Sequence, residues 1–238
     1  MIYVFETMGT VVSIEPPLKV PEIEALFASY NERFSLYRSD SELSRIADGS
    51  LRLADASSEL RNAYSLALEW RSLTAGVFTP HRPDGIIDLS GIVKALAIEA
   101  AGHVLAEDGD WIINVGGDVL TSGQAATVGI TDPFDRTQLL TSARLGGSRR
   151  AVATSGSSER GDHIWGGRGF AQVTVVANEI VTADVLATAI VAGGVDTLNA
   201  STSGWDIDVL AIDPAGNLFA TPGFTVSIAA AAARPTAH

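Results

Sequence analysis

Cysteine is absent from this 238-residue chain, which excludes disulfides, thiolate zinc sites, catalytic thiols and a lipid carried on cysteine. Positive charge is scarce as well. Sixteen Lys and Arg face 28 Asp and Glu, a net charge of −12 that disfavours a nucleic-acid backbone or an anionic membrane as partner. A phosphate-bearing ligand would need local help from a metal or a helix terminus. No apolar run reads as a transmembrane span, and "MIYVFETMGTVVSIEP" lacks the charged and apolar regions of a signal peptide. The expectation is a cytoplasmic protein without a membrane anchor. Also missing are a Gly-x-Ser-x-Gly elbow, a His-Glu-x-x-His pair and a Walker loop.

What is present suits one globular domain over residues 1–228, or two intimate subdomains, with an Ala-rich tail at 229–238. Residues 2–14 read as strand broken at Met-Gly-Thr. Pro21 opens a helix whose apolar residues Ile23, Leu26, Phe27, Tyr30 and Phe34 recur at helical spacing. Residues 35–50 read as loop with a helical turn. A second helix spans about 57–74, "GVFTPHRPDG" is turn-rich, and a third helix covers roughly 91–107. "WIINVGGDVL", "TVGITDP", "RRAVATSG" and "AQVTVVA" read as strands, and "DIDVLAIDPAGNLFATPGF" as a hairpin turning near 214–217. Strands joined by turns and interleaved with a few helices predict an α+β fold, mostly antiparallel sheet with packed helices.

Several polar groups stand out against this background. "TADVLATA" carries Asp184 and Thr188 four residues apart on one face of a buried helix. Capping of the helix start by Thr182 or Asp184, with Thr188 bonding back to a carbonyl, explains them, and so does a set of hard oxygen donors for Mg²⁺, completed by a glycine-exposed carbonyl near position 91 and by phosphate and water. "IIDLSGIVK" places Asp88, Ser90, Gly91 and Lys94 about a helix N-terminus, where capping and anion binding use the same geometry. On the capping alternative Lys94 is a solvated side chain. "NVGGD" and "ATSGSSER" are weaker signals of close backbone approach to a ligand. Of the four histidines, His163 is the best candidate for a functional imidazole; His103 reads as a surface pair with Glu99, His81 lies between prolines and His238 in the tail.

Taken in order, "ETMGT", "FSLYRSDSELSRI", "GVFTP", "IDLSGIVKALAIEAA", "INVGGDVLTSG", "VATSGSSER", "HIW", "VTVVA" and "TADVLATA" resemble the FAD:protein FMN transferases, the ApbE-like flavin transferases. The resemblance extends over nearly the whole chain. It implies an ApbE-like fold and a Mg²⁺-dependent enzyme that moves FMN from FAD to a Ser or Thr hydroxyl of a target protein and releases AMP. The implied metal ligands are Asp184, Thr188 and the carbonyl of Gly91. Met8, Tyr37, Phe78, Asp88, Lys94 and His163 match FAD-lining positions, and Gly117, Asp118 and Ser155 are carried over from their motifs alone. Catalytic roles fall to Asp184, to Lys94 as a phosphate partner, and to His163, which would move the acceptor hydroxyl's proton or order the pyrophosphate.

The chain departs from the family pattern at Phe78-Thr79-Pro80, where Phe-Asp-Pro is usual, and in the shortened "HRPDGI" that follows. Lys94-Ala95-Leu96-Ala97 replaces Lys-Gly-Tyr-Ala, and no Asp-Pro-x-Thr-Gly turn follows His163. Two competing readings remain: a Mg²⁺-dependent FAD pyrophosphatase, and a flavin-binding protein without turnover. The family's acceptor motif, Ser/Thr-Gly-Ala-Ser/Thr, has no match within the chain, so the expected partner is a separate protein.

Overall fold

The β-branched residues at the N-terminus form a hairpin, β1 (Tyr3–Thr7) and β2 (Thr10–Glu15), in the computed structural model, which describes residues 1–156 and 169–224. Its two-residue turn, Met8–Gly9, has φ of 51° and 71°, the left-handed geometry that suits the twist of a tight hairpin. "WIINVGGDVL" resolves into a second hairpin, β3 (Ile112–Val115) and β4 (Asp118–Thr121), turning at Gly116–Gly117 with φ of 58° and 96°. A Cβ on Gly116 would collide with the Thr10 hydroxyl, so the two turns lie side by side.

Four helices separate these hairpins: α1 (Val20–Phe34), α2 (Glu42–Ala47), α3 (Ser58–Leu73) and α4 (Ser90–Val104). Ser41 and Ser57 cap α2 and α3, their hydroxyls accepting from the N–H of Ser44 and Leu60. The segment 35–50, expected to be loop with a helical turn, contains the short capped helix α2. After β4 come β5 (Ala126–Thr131), β6 (Leu139–Leu145), β7 (Ala151–Gly156) and β8 (Gln172–Ala177). Then follow α5 (Ile180–Gly204) and the predicted hairpin, β9 (Asp208–Ile212) and β10 (Leu218–Ala220).

Eight strands pair in the order β1-β2-β3-β4-β7-β8-β9-β10, antiparallel throughout. This is the expected α+β architecture. Helices α4 and α5 cover one face, and α1 packs on both α4 and β1. The main core fills this interface, with Phe27, Ile98, Trp111, Ile113 and Leu186 each fully or almost fully buried. Each such side chain contributes about 1.5–3 kcal/mol on leaving water. Contact is close: a Cβ on Gly102 of α4 would stand 2.8 Å from a Leu120 methyl and 3.1 Å from the Trp111 ring. The β5–β6 hairpin, a sheet of its own, covers the opposite face over Val119, Val152, Val176 and Leu210.

The sequence shows no apolar run of membrane-spanning length, yet α5 is long and apolar enough by length and composition to span one. Its apolarity answers to burial, since most of its apolar residues lie in the core. It is also broken: Gly194, with φ 68° and ψ −150°, separates two helical stretches. A Cβ on Gly169 would stand 2.8 Å from the Gly194 nitrogen, so two backbones meet there with no room for a side chain.

Candidate active site

The antiparallel registers bring the Met8–Gly9 turn, the Gly116–Gly117 turn, the C-terminal end of β7 and the N-terminal end of β8 to one end of the sheet. Polar groups distant in sequence meet there. Lys94, in the second turn of α4, forms an ion pair with Asp118, the first residue of β4; their side chains are only 12% and 1% exposed. The other oxygen of Asp118 accepts from the backbone N–H of Thr154 at 3.1 Å. A buried carboxylate needs both kinds of partner, because an uncompensated one is expensive to keep from water. Lys94 is therefore not the solvated side chain of the capping alternative. Its ammonium is turned to Asp118.

The next residue on β7 faces the helices. Side chains alternate along a strand, so Thr154 points to the face covered by β5–β6, where its hydroxyl lies 2.9 Å from that of Thr174. Ser155 points to α5, with its hydroxyl 3.0 Å from that of Thr188. One turn earlier on the same helix is Asp184, a carboxylate with 1% exposure. Capping does not explain this pair. The residue preceding α5 is Glu179, the helix start shows no side-chain cap, and Asp184 lies beyond the four N–H groups that a cap could serve. Thr182 donates instead to the Glu179 carboxylate at 3.3 Å.

Among the described residues no group of three or more His, Cys, Asp or Glu side chains could hold a metal by itself. Apart from Asp118, already paired with Lys94, the side-chain donors named at this end are the Asp184 carboxylate and the hydroxyls of Thr188 and Ser155. Hard, few and all oxygen, they fit an ion such as Mg²⁺ that takes its remaining ligands from phosphate and water.

The sequence places this arrangement in a known family. A family model described as "ApbE family" matches residues 8–83 and 80–209. The chain belongs to the ApbE family. Its fold is similar to the ApbE protein of Thermotoga maritima MSB8, at 20% identity and a TM-score of 0.79 over 93% of this chain and 97% of that one. Flavin transferase ApbE of Vibrio cholerae is similar at 21% identity and a TM-score of 0.71, over 94% of this chain and 97% of that one. The apo form of flavinyl transferase ApbE of Pseudomonas stutzeri matches at 15% identity and a TM-score of 0.72, over 93% and 95%. A comparison with curated proteins found no match.

Around this ApbE core, Phe78 is buried with its ring against Gly91, where a Cβ would stand 3.1 Å from it. Gly91 is the second residue of α4. Asp88 accepts from the Ser90 N–H at 2.9 Å from just outside α4, whose N-cap position is Leu89 and carries no side-chain cap, so neither Asp88 nor Ser90 is the N-cap that the sequence allowed. Met8 occupies the first hairpin turn at positive φ, and Gly117 the second, where its N–H donates to the Asn114 side chain at 3.0 Å. Tyr37 is 89% exposed on the loop before α2, its N–H bonded to the Ser35 hydroxyl. His163 lies outside the described residues. His81, set aside as a residue between prolines, bonds to the Tyr64 hydroxyl at 2.9 Å. Thr154 lies in "ATSGSSER", the segment read as a weak signal of backbone approach to a ligand, and its amide is taken by the Asp118 carboxylate instead.

Proposed function

We propose that this ApbE-family chain is a flavin transferase that moves FMN from FAD to a Ser or Thr hydroxyl of a separate protein. The observation that supports it best is the meeting of Lys94–Asp118 with Ser155–Thr188 and buried Asp184 at one end of the sheet. In this reading the acceptor oxygen attacks the FMN phosphorus and a new phosphoester bond forms. The bond from that phosphorus to the bridging oxygen breaks, and AMP leaves with that oxygen. The acceptor's proton passes to a base, a role proposed for His163.

Phosphoryl transfer asks the protein for position and for compensation of negative charge. Asp184, Thr188 and the Gly91 carbonyl would hold Mg²⁺, whose contribution is to neutralise the pyrophosphate oxygens. Lys94 brings a cation to the same end of the sheet while Asp118 holds it in place. Phe78 supplies an apolar wall beside Gly91, and exposed Tyr37 offers a ring on which a flavin can stack. Ser155 orients the Thr188 hydroxyl.

The test incubates the protein with FAD, Mg²⁺ and an acceptor bearing a Ser/Thr-Gly-Ala-Ser/Thr motif, then follows AMP release and flavin fluorescence that survives denaturation of the acceptor. Covalent flavin on the acceptor is expected. AMP without it would replace transfer by hydrolysis to FMN and AMP, and bound FAD with neither product would leave a binding protein.

A further inference from the structure

Strand β7 outruns its neighbour. Its ladder with β4 consists of Val119–Val152 and Leu120–Ala151, and stepping that register outward places Gly117 opposite Thr154. Gly117 belongs to the hairpin turn, with φ 96°, so the chain bends away and β4 no longer runs alongside to receive the Thr154 N–H. The Asp118 carboxylate takes the missing strand's place, at 3.1 Å. Its second oxygen is taken by Lys94 of α4. The next residue along β7 is Ser155, which meets Thr188.

We infer that Asp118 is a positioning residue: it stands in for an absent strand, fixes the end of β7, and thereby seats the Ser155 hydroxyl against Thr188. Asp118 touches no phosphate. A carboxylate already saturated by an ammonium and an amide has neither the charge nor the free donors to receive another anion. Lys94 completes the unit, because a carboxylate buried at 1% exposure needs an opposite charge beside it to offset its loss of water. The consequence for Ser155 and Thr188 rests on the flavin-transferase reading, whereas the geometry of Asp118 stands independently of it.

The experiment measures hydrogen exchange of the Thr154 amide by NMR in wild type, Asp118→Asn and Asp118→Ala, together with FAD affinity by fluorescence quenching and AMP release. Asn keeps an oxygen that accepts from Thr154, so protection is expected to survive in Asp118→Asn. In Asp118→Ala exchange is expected to be about tenfold faster or more, as for loss of one hydrogen bond to a charged group. AMP release is expected to fall further in Asp118→Ala than in Asp118→Asn, since only the alanine leaves the Thr154 amide without its acceptor. Should Asp118→Ala fail to fold, Lys94→Met with Asp118→Ala removes both buried charges and reads the same amide. Equal Thr154 protection in wild type and in the alanine variants would overturn the inference. So would FAD affinity falling together in Asp118→Asn and Asp118→Ala while Thr154 stays protected in the former, which would mark a ligand contact. A wild-type protein that consumes no FAD would overturn the flavin-transferase reading instead, leaving the exchange result to decide this one.

Discussion

The Ser155 hydroxyl lies 3.0 Å from the Thr188 hydroxyl, a bond between the end of β7 and the middle of α5 that joins sheet and helix at the candidate active site. Both side chains are half-buried. If the pair acts as one unit, Ser155→Ala and Thr188→Val each lower turnover and the double variant is no worse than the more damaging single. The expected coupling is about 1 kcal/mol in the double-mutant cycle for AMP release. Additive losses would separate the two residues.

Asp184→Asn conserves shape but removes the charge from a carboxylate with 1% exposure. Turnover at saturating Mg²⁺ is expected to fall about 100-fold, with the half-saturating Mg²⁺ concentration rising. Circular dichroism and thermal unfolding establish that the variant is folded. AMP release at the wild-type rate would remove Asp184 from the metal-binding set.

Gly169→Ala tests the close approach at the break in α5. The new Cβ would stand 2.8 Å from the Gly194 nitrogen, backbone against backbone, where neither side yields easily. Destabilisation of about 2–4 kcal/mol in urea unfolding is expected. Gly204→Ala is the control, since a Cβ there meets nothing within 4 Å and the residue lacks a positive φ. It is expected to shift stability by less than about 0.5 kcal/mol.

Glu99 carries a pH dependence of its own. Burial pushes its carboxyl above the ordinary glutamate value; His103 opposes that shift and Glu179 reinforces it. The folded chain therefore keeps this proton at pH values where the unfolded chain has released it. That advantage is complete below the unfolded value and is lost as pH rises through the folded one. Glu99→Gln, which never ionises, is expected to raise the urea midpoint at about pH 8 and to match wild type near pH 4. A constant difference across that range would mean that the carboxyl's ionisation is not the cause.

Much of the scaffold is legible in the sequence because burial imposes a period on it. Ile23, Phe27 and Phe34 are buried on α1, and Leu60, Ala63, Ala67 and Trp70 on α3, as their spacing implies. Strand β6 was missed: in "LLTSARL" burial falls on Thr141, Ala143 and Leu145, and a half-polar inner face does not stand out as an alternation. The break at Gly194 was hidden because Ala192-Gly193-Gly194-Val195 continues an apolar run without a change of period. At the site, residue types pointed to Asp184, Thr188 and Lys94, and motifs to Asp118 and Ser155, but nothing in the sequence paired Lys94 with Asp118 or Thr188 with Ser155. Lys94 meets Asp118 only because α4 crosses the start of β4, and Thr154 needs Asp118 only because Gly117 turns away. Such facts belong to the register of strands far apart in the chain.

The pairing of Val12 with Val115 sets an order of assembly. During synthesis the N-terminal hairpin and α1 through α4 all emerge before β3 exists. Their apolar faces must stay uncovered, or find a temporary cover, until the second hairpin is complete and α5 follows. Loop closure over so long a stretch slows folding and lengthens the interval in which a nascent chain can associate wrongly. Strands β1 and β2 are synthesised well before the strand that ties them to the sheet.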